Sequence, residues 1–187
     1  MAGYPFTAGR RMKFREVPMG IVIKSIETEE EIRGKAYVHW KAWQEAYPGM
    51  IRQDYLEKMT PEKCEEIAFQ WKDGILIAMD GRRVVGFAGY GHREGDPPET
   101  GEVFAMYVLS DYYGKGVGRS LMNAALDQLK DYPEICLWTL KENKRAIRFY
   151  LKCGFAHDGR EKINEVIEAA EIRMVLKRQN GCRDQVC

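Results

Sequence analysis

The sequence carries no excess of either charge, no long apolar run and no cysteine framework. Lys and Arg number 29 against 28 Asp and Glu, a formal net charge of +1. A protein devoted to nucleic-acid phosphates carries a clear basic excess, so no nucleic-acid partner is expected beyond a local patch. The longest apolar stretches, Ile75 to Met79 and Val84 to Tyr90, fall far short of the roughly 20 residues a membrane span needs. The opening residues hold Arg10, Arg11, Lys13 and Arg15 without an apolar segment behind them, so neither a secretory signal nor a membrane partner is expected. Five cysteines, at 64, 136, 153, 182 and 187, are odd in number and scattered, which fits a reducing, cytoplasmic setting rather than a disulfide scaffold. Cys182 and Cys187 have the wrong spacing for CxxC, and His39, His92 and His157 form no HExxH pattern, so no metal is expected.

What remains is an ordinary globular chain. Its 187 residues suit one domain of about 150 with a little left over. Residues 1–20 lack periodicity and read as a flexible N-terminal extension, 21–177 as the domain, and 178–187 as a flexible C-terminal tail. Within the domain a strand at 21–26 precedes a helix opened by the capping box Thr28/Glu31. That helix has the apolar stripe Ile32, Ala36, Trp40, Trp43, Tyr47, and Pro48–Gly49 stop it. A short helix lies near Tyr55, Leu56 and Met59, and Thr60–Pro61 starts a third. Asp80–Gly81 joins strands 75–79 and 84–91 as a hairpin. A strand at 102–109, a glycine-rich turn, a helix to about Lys130, a strand at 135–140 and a helix at 143–152 follow. Strands near 155–158 and 171–176 close a single-domain mixed α/β series.

The turn at Tyr113-Gly114-Lys115-Gly116-Val117-Gly118-Arg119 lies between a strand and a helix, where backbone N–H groups can hold an anion. It is not a Walker A loop, because Lys115 is misplaced, and not GxGxxG, because Arg119 occupies the third glycine position. A turn that merely connects strand to helix is the bland alternative.

This turn resembles the [QR]xxGx[GA] pyrophosphate loop of the GNAT N-acetyltransferase superfamily, with Tyr113 in place of the leading Gln or Arg. Residues 143–155, NKRAIRFYLKCGF, are similar to the family's NxxAixfYexxGF signature, and the likeness covers about residues 20–177. The resemblance implies a GNAT-like sheet in which strands 102–109 and 135–140 splay apart, flanked by helices. It implies acetyl-CoA as co-substrate, with pantetheine against the backbone of Met106, Tyr107 and Val108 and pyrophosphate on the amides of Gly114 to Arg119. Asn143 would reach the cofactor from the opposite wall, and homodimers are common among such folds.

The implied reaction is N-acetylation of a primary amine of a small molecule or peptide by direct attack. The alternative is a non-catalytic acyl-CoA sensor, which needs neither of the two catalytic candidates. Tyr150, seven residues after Asn143 and so on one helix face with it, matches the family's proton donor to the thiolate. Glu102 resembles in position the strand carboxylate that serves some members as base. Strict alternation would put Glu102, Phe104, Met106 and Val108 on one face. The oxyanion donor is expected to be a backbone N–H near Val108. Glu94, Asp96, Glu99 and Glu102 form an acidic run that reads either as a solvated loop or as an attractor for a cationic acceptor.

Overall fold

The computed structural model describes residues 20–178, so nearly all of the expected extension and tail, with Cys182 and Cys187, lies outside the described residues. Strand β1 (Ile21–Ser25) leads into α1 (Glu29–Ala46), α2 (Gln53–Lys58) and α3 (Pro61–Gln70). The capping box forms as expected: Glu31 N–H donates to Thr28 Oγ1 at 3.2 Å, and Thr28 N–H to the Glu31 carboxylate. The stripe on α1 divides. Ile32 and Ala36 pack with Met59 and with Cys64 and Ala68 of α3, whereas Trp43 and Tyr47 reach the cluster of Ile51, Leu56, Leu140 and Ile167. A lysine is buried on the same helix: Lys35 Nζ donates to the Trp71 carbonyl at 2.7 Å, an end-of-helix acceptor on α3.

The hairpin is β2 (Ile75–Asp80) and β3 (Arg83–Gly91), followed by β4 (Thr100–Val108), α4 (Val117–Gln128), β5 (Glu134–Leu140), α5 (Lys144–Lys152), β6 (Ala156–Asn164) and β7 (Ala169–Lys177). They form one seven-stranded sheet in the order β1-β2-β3-β4-β5-β7-β6. Every neighbouring pair is antiparallel except β4 with β5. That parallel pairing lasts only from Thr100–Glu134 to Glu102–Cys136, after which the strands part. The expected splay is present.

A bulge sets which side chains face the resulting cleft. Gly89 pairs with Ala105 and Tyr90 with Val103, so Phe104 is an extra residue in β4. An extra residue reverses the alternation beyond it. Glu102 therefore shares a face with Tyr107, and the expected grouping of Glu102 with Met106 and Val108 is corrected. Packing agrees. A Cβ on Gly101 would meet Leu129 and Tyr132, at the end of α4, while Tyr107 stacks on Phe87 and on His39 of α1. The main core lies between sheet and α4, with Leu121, Met122, Ile135, Leu137 and Phe155 fully buried.

Candidate active site

Where β4 and β5 diverge they leave a cavity of about 850 Å³. One wall is β4 from Glu102 to Val108, and the other is Trp138, Thr139 and Leu140 of β5 with Asn143 and Tyr150. Trp43, Tyr47 and Tyr55 close it from the helical side, and Gly114, Gly116, Gly118 and Arg119 from the turn. A cavity of this size falls within the range of ligand-binding clefts.

The turn leaves the first N–H groups of α4 without a side-chain cap. Gly116 is the N-cap of α4 with φ +89°, a left-handed conformation, and supplies no side-chain acceptor to the first N–H groups of the helix. Gly114 has φ +74° with open space where a Cβ would stand. Gly118 stands where α4 meets β4 and α5, with Phe149 and Val108 beside it. Arg119 Nη1 donates to the Lys152 carbonyl and ties this turn to the end of α5. Together, a left-handed glycine, uncapped N–H groups and open space fit a pyrophosphate, and the long apolar wall of β4 fits a pantetheine chain.

Comparison with known proteins decides the family. Residues 23–155 match the family model described as Acetyltransferase (GNAT) family, well over half of the chain. The chain belongs to this acetyltransferase family. It is 30% identical over 129 residues to "Uncharacterized N-acetyltransferase YuaI" of Bacillus subtilis, covering 65% of this chain and 72% of that protein. It is 33% identical over 104 residues to the mycothiol acetyltransferase of Propionibacterium freudenreichii, covering 52% of this chain but only 33% of that relative. The fold is shared with the PaiA N-acetyltransferase of Thermoplasma acidophilum solved with coenzyme A, at TM-score 0.67 and 20% identity over 86% of this chain and 100% of that one.

Against this GNAT frame, the expected residues fall as follows. Met106, Tyr107, Val108, Tyr113, Gly114, Gly116, Gly118, Arg119, Asn143, Glu102 and Tyr150 all line the one cavity. Lys115 and Val117 do not. The Lys115 ammonium stands 5.2 Å from the Tyr112 ring, and Val117 is fully buried in the core, so only their backbone can serve the turn. Asn143 caps α5, its Oδ1 accepting from Ala146 N–H at 3.0 Å, which leaves the amide nitrogen to face the cleft. Tyr113, where the family has Gln or Arg, is covered by the Arg145 guanidinium at 3.8 Å.

Tyr150 is buried beside Phe149 and Phe155, and burial, with Tyr107 and Cys153 adding to it, pushes its hydroxyl well above the ordinary tyrosine value. The hydroxyl is protonated at neutral pH. Glu102 is also buried, and desolvation raises its carboxyl from the ordinary glutamate value against the lowering effect of Arg93. Arg93 Nε stands 3.2 Å from Glu102 Oε2 without aligning to donate, so this oxygen accepts no hydrogen bond. The other acidic residues of the run, Glu94, Asp96 and Glu99, do not line the cavity. The expected acidic entrance therefore reduces to Glu102 alone.

The histidines lie outside the cavity lining. His39, buried among Trp43, Phe87 and Tyr107, is pushed down to about 4 by burial and is neutral at physiological pH. His92 Nδ1 is 3.0 Å from the Thr100 carbonyl and its ring stacks on Tyr132. Among the described residues, no group of three or more His, Cys, Asp or Glu is gathered for a metal. The sequence reading missed Arg93, Trp138, Lys162 and Glu171, which come to the cavity from a loop, from β5 and from the terminal hairpin. No local pattern marks them, because only the sheet brings them together.

Proposed function

We propose that this protein transfers the acetyl group of acetyl-CoA to a primary amine of a small molecule or peptide by direct attack. The observation that carries this reading is that Glu102 and Tyr150 line the same cavity as the glycine turn. Bound there, acetyl-CoA supplies the acetyl thioester. The amides of Gly114 to Arg119 hold its phosphates, and the β4 backbone from Met106 to Val108 aligns the chain of the cofactor. Glu102 takes a proton from the incoming ammonium, so that a neutral nitrogen forms the new C–N bond as the C–S bond breaks. A backbone N–H near Val108 steadies the developing oxyanion. Tyr150 donates a proton to the departing sulfur and recovers one released from nitrogen through solvent.

The test is release of free coenzyme A thiol when acetyl-CoA is offered with a broad amine panel. Acetylated amine in stoichiometric yield is the expected result. Tight binding of acetyl-CoA with no transfer to any amine would overturn the proposal.

A further inference from the structure

The acceptor end of the cavity carries more than a base. Two carboxylates, Glu102 and Glu171, face two cations, Arg93 and Lys162, and all four line it. Lys162 Nζ is 3.4 Å from Glu171 Oε2 and 4.1 Å from the centre of the Trp138 ring. Both Glu171 oxygens are occupied, since Asn164 Nδ2 donates to Oε1 at 3.4 Å. Glu102 differs. It is 3% exposed, and its Oε2 accepts no hydrogen bond even though Arg93 Nε lies at 3.2 Å. A buried carboxylate oxygen without a donor is costly, and a cationic donor in the cavity removes that cost. Arg93 in turn has no other side-chain partner among the described residues, and its terminal nitrogens are left to bind an anion as a planar fork.

We infer that the acceptor is a zwitterion: a primary amine with a carboxylate on the adjacent carbon, as in a free α-amino acid, its ammonium on Glu102 and its carboxylate on Arg93. The inference rests on the acetyltransferase reading above. The two protein charges are neighbours, as are the two charges of an α-amino acid. A polyamine would meet Arg93 as a like charge, and a neutral amine would leave Arg93 without the partner its fork is free to take. Lys162, above Trp138, is paired with Glu171, so Arg93 is the cation left to meet the acceptor's carboxylate. The apolar side chains of Ile51, Val166 and Ile167, which also line the cavity, receive the substituent of the amino acid.

Matched acceptors test this. L-Leucine, L-leucinamide and 3-methylbutylamine share a side chain and an amine, and only the first has a carboxylate. Parallel sets built on phenylalanine, serine and lysine remove dependence on one side chain. With kcat/KM expressed per neutral amine, the amino acid of the preferred set should exceed its amide at least tenfold. In Arg93→Gln that ratio should fall toward one, chiefly through KM, and Arg93→Lys should restore part of it. Coenzyme A affinity and thermal melting of each variant report that the fold is intact. If amides or simple amines are acetylated as well as the acids, or if the ratio survives Arg93→Gln, the zwitterion inference fails while the acetyltransferase reading stands. If no amine of any set or of the broad panel is acetylated, the functional reading itself fails.

Discussion

Tyr150 and Glu102 are shifted in the same direction by the same cause, and the consequence for each is opposite. Burial keeps Tyr150 protonated, which suits a donor. Tyr150→Phe should lower kcat by about 100-fold with little change in KM for acetyl-CoA, measured by steady-state thiol release. Unchanged turnover would assign the proton to water. Burial also keeps Glu102 protonated to a higher pH than an ordinary glutamate, from its reference value of 4.5 upward, and only the carboxylate can accept a proton. Activity should therefore rise with pH, and its acid limb should be displaced upward from that of an ordinary glutamate. Glu102→Gln should remove that limb and leave activity that recovers at high pH, where neutral amine is abundant. Stability carries the opposite sign. A raised folded pKa means that the native state binds the proton more tightly than the unfolded chain, so this group's contribution declines as pH rises through the folded value. Glu102→Gln should thus melt no lower than wild type at pH 7, by calorimetry, while activity is lost. A large drop in melting temperature would mean that the carboxylate holds the fold and would sink the separation of roles.

At the scale of elements, sequence reading succeeded where local chemistry decides. The Thr28/Glu31 box, Thr60–Pro61, Asp80–Gly81 and the turn before α4 each announce a boundary because their residue types fix local geometry. It failed where a neighbour decides. Nothing in EVFAMYV marks Phe104 as a bulge; the strand register opposite Gly89 creates it, and with it the facing of Glu102. Strand β6 is longer than its pattern suggests, since as an edge strand it is exposed along nearly all of Ala156–Asn164 and shows no alternation. Gly116 belongs to the legible class and gives a clean test. At φ +89° an alanine pays about 1–2 kcal/mol of backbone strain, so Gly116→Ala should lower stability by about that amount in urea titration. It should also weaken coenzyme A binding at least tenfold by calorimetry, because the first turn of α4 shifts. Gly118→Ala provides the contrast. Its Cβ would stand 3.5 Å from the Phe149 ring, an ordinary contact, in a helix that favours alanine, so stability should hold or rise. Equal losses of stability in both variants would argue that crowding, rather than the left-handed turn, is what the glycines relieve.

Across the whole molecule, distant segments close the end of the cavity proposed for the acceptor. The loop between α1 and α2 meets the turn of the terminal hairpin: Arg52 N–H donates to the Ile167 carbonyl at 3.1 Å, and the Arg52 guanidinium bonds Glu168 at 2.8 Å and also Asp54. Beneath them Ile51, Leu56, Leu140 and Ile167 form a small apolar cluster of their own. This bridge spans more than a hundred residues of sequence, which is why no window of the chain reveals it. Exposed ion pairs contribute little to stability, so loosening this one should act on the site rather than on the fold. Glu168 makes the test sharper, because it has φ +50° and glycine suits that conformation better than any other residue. Glu168→Gly removes the ion pair while relieving the backbone, whereas Glu168→Ala removes the pair and keeps the strain. Both variants, and Arg52→Ala, should raise acceptor KM several-fold with melting temperature close to wild type. Coenzyme A affinity should be unchanged in all three, since the glycine turn lies at the other end of the cavity. If Glu168→Gly keeps the wild-type KM and only Glu168→Ala raises it, the shape of the turn matters and the ion pair does not. If coenzyme A affinity falls in step with acceptor affinity, the bridge braces the entire cleft, and the division of the cavity into two ends is wrong.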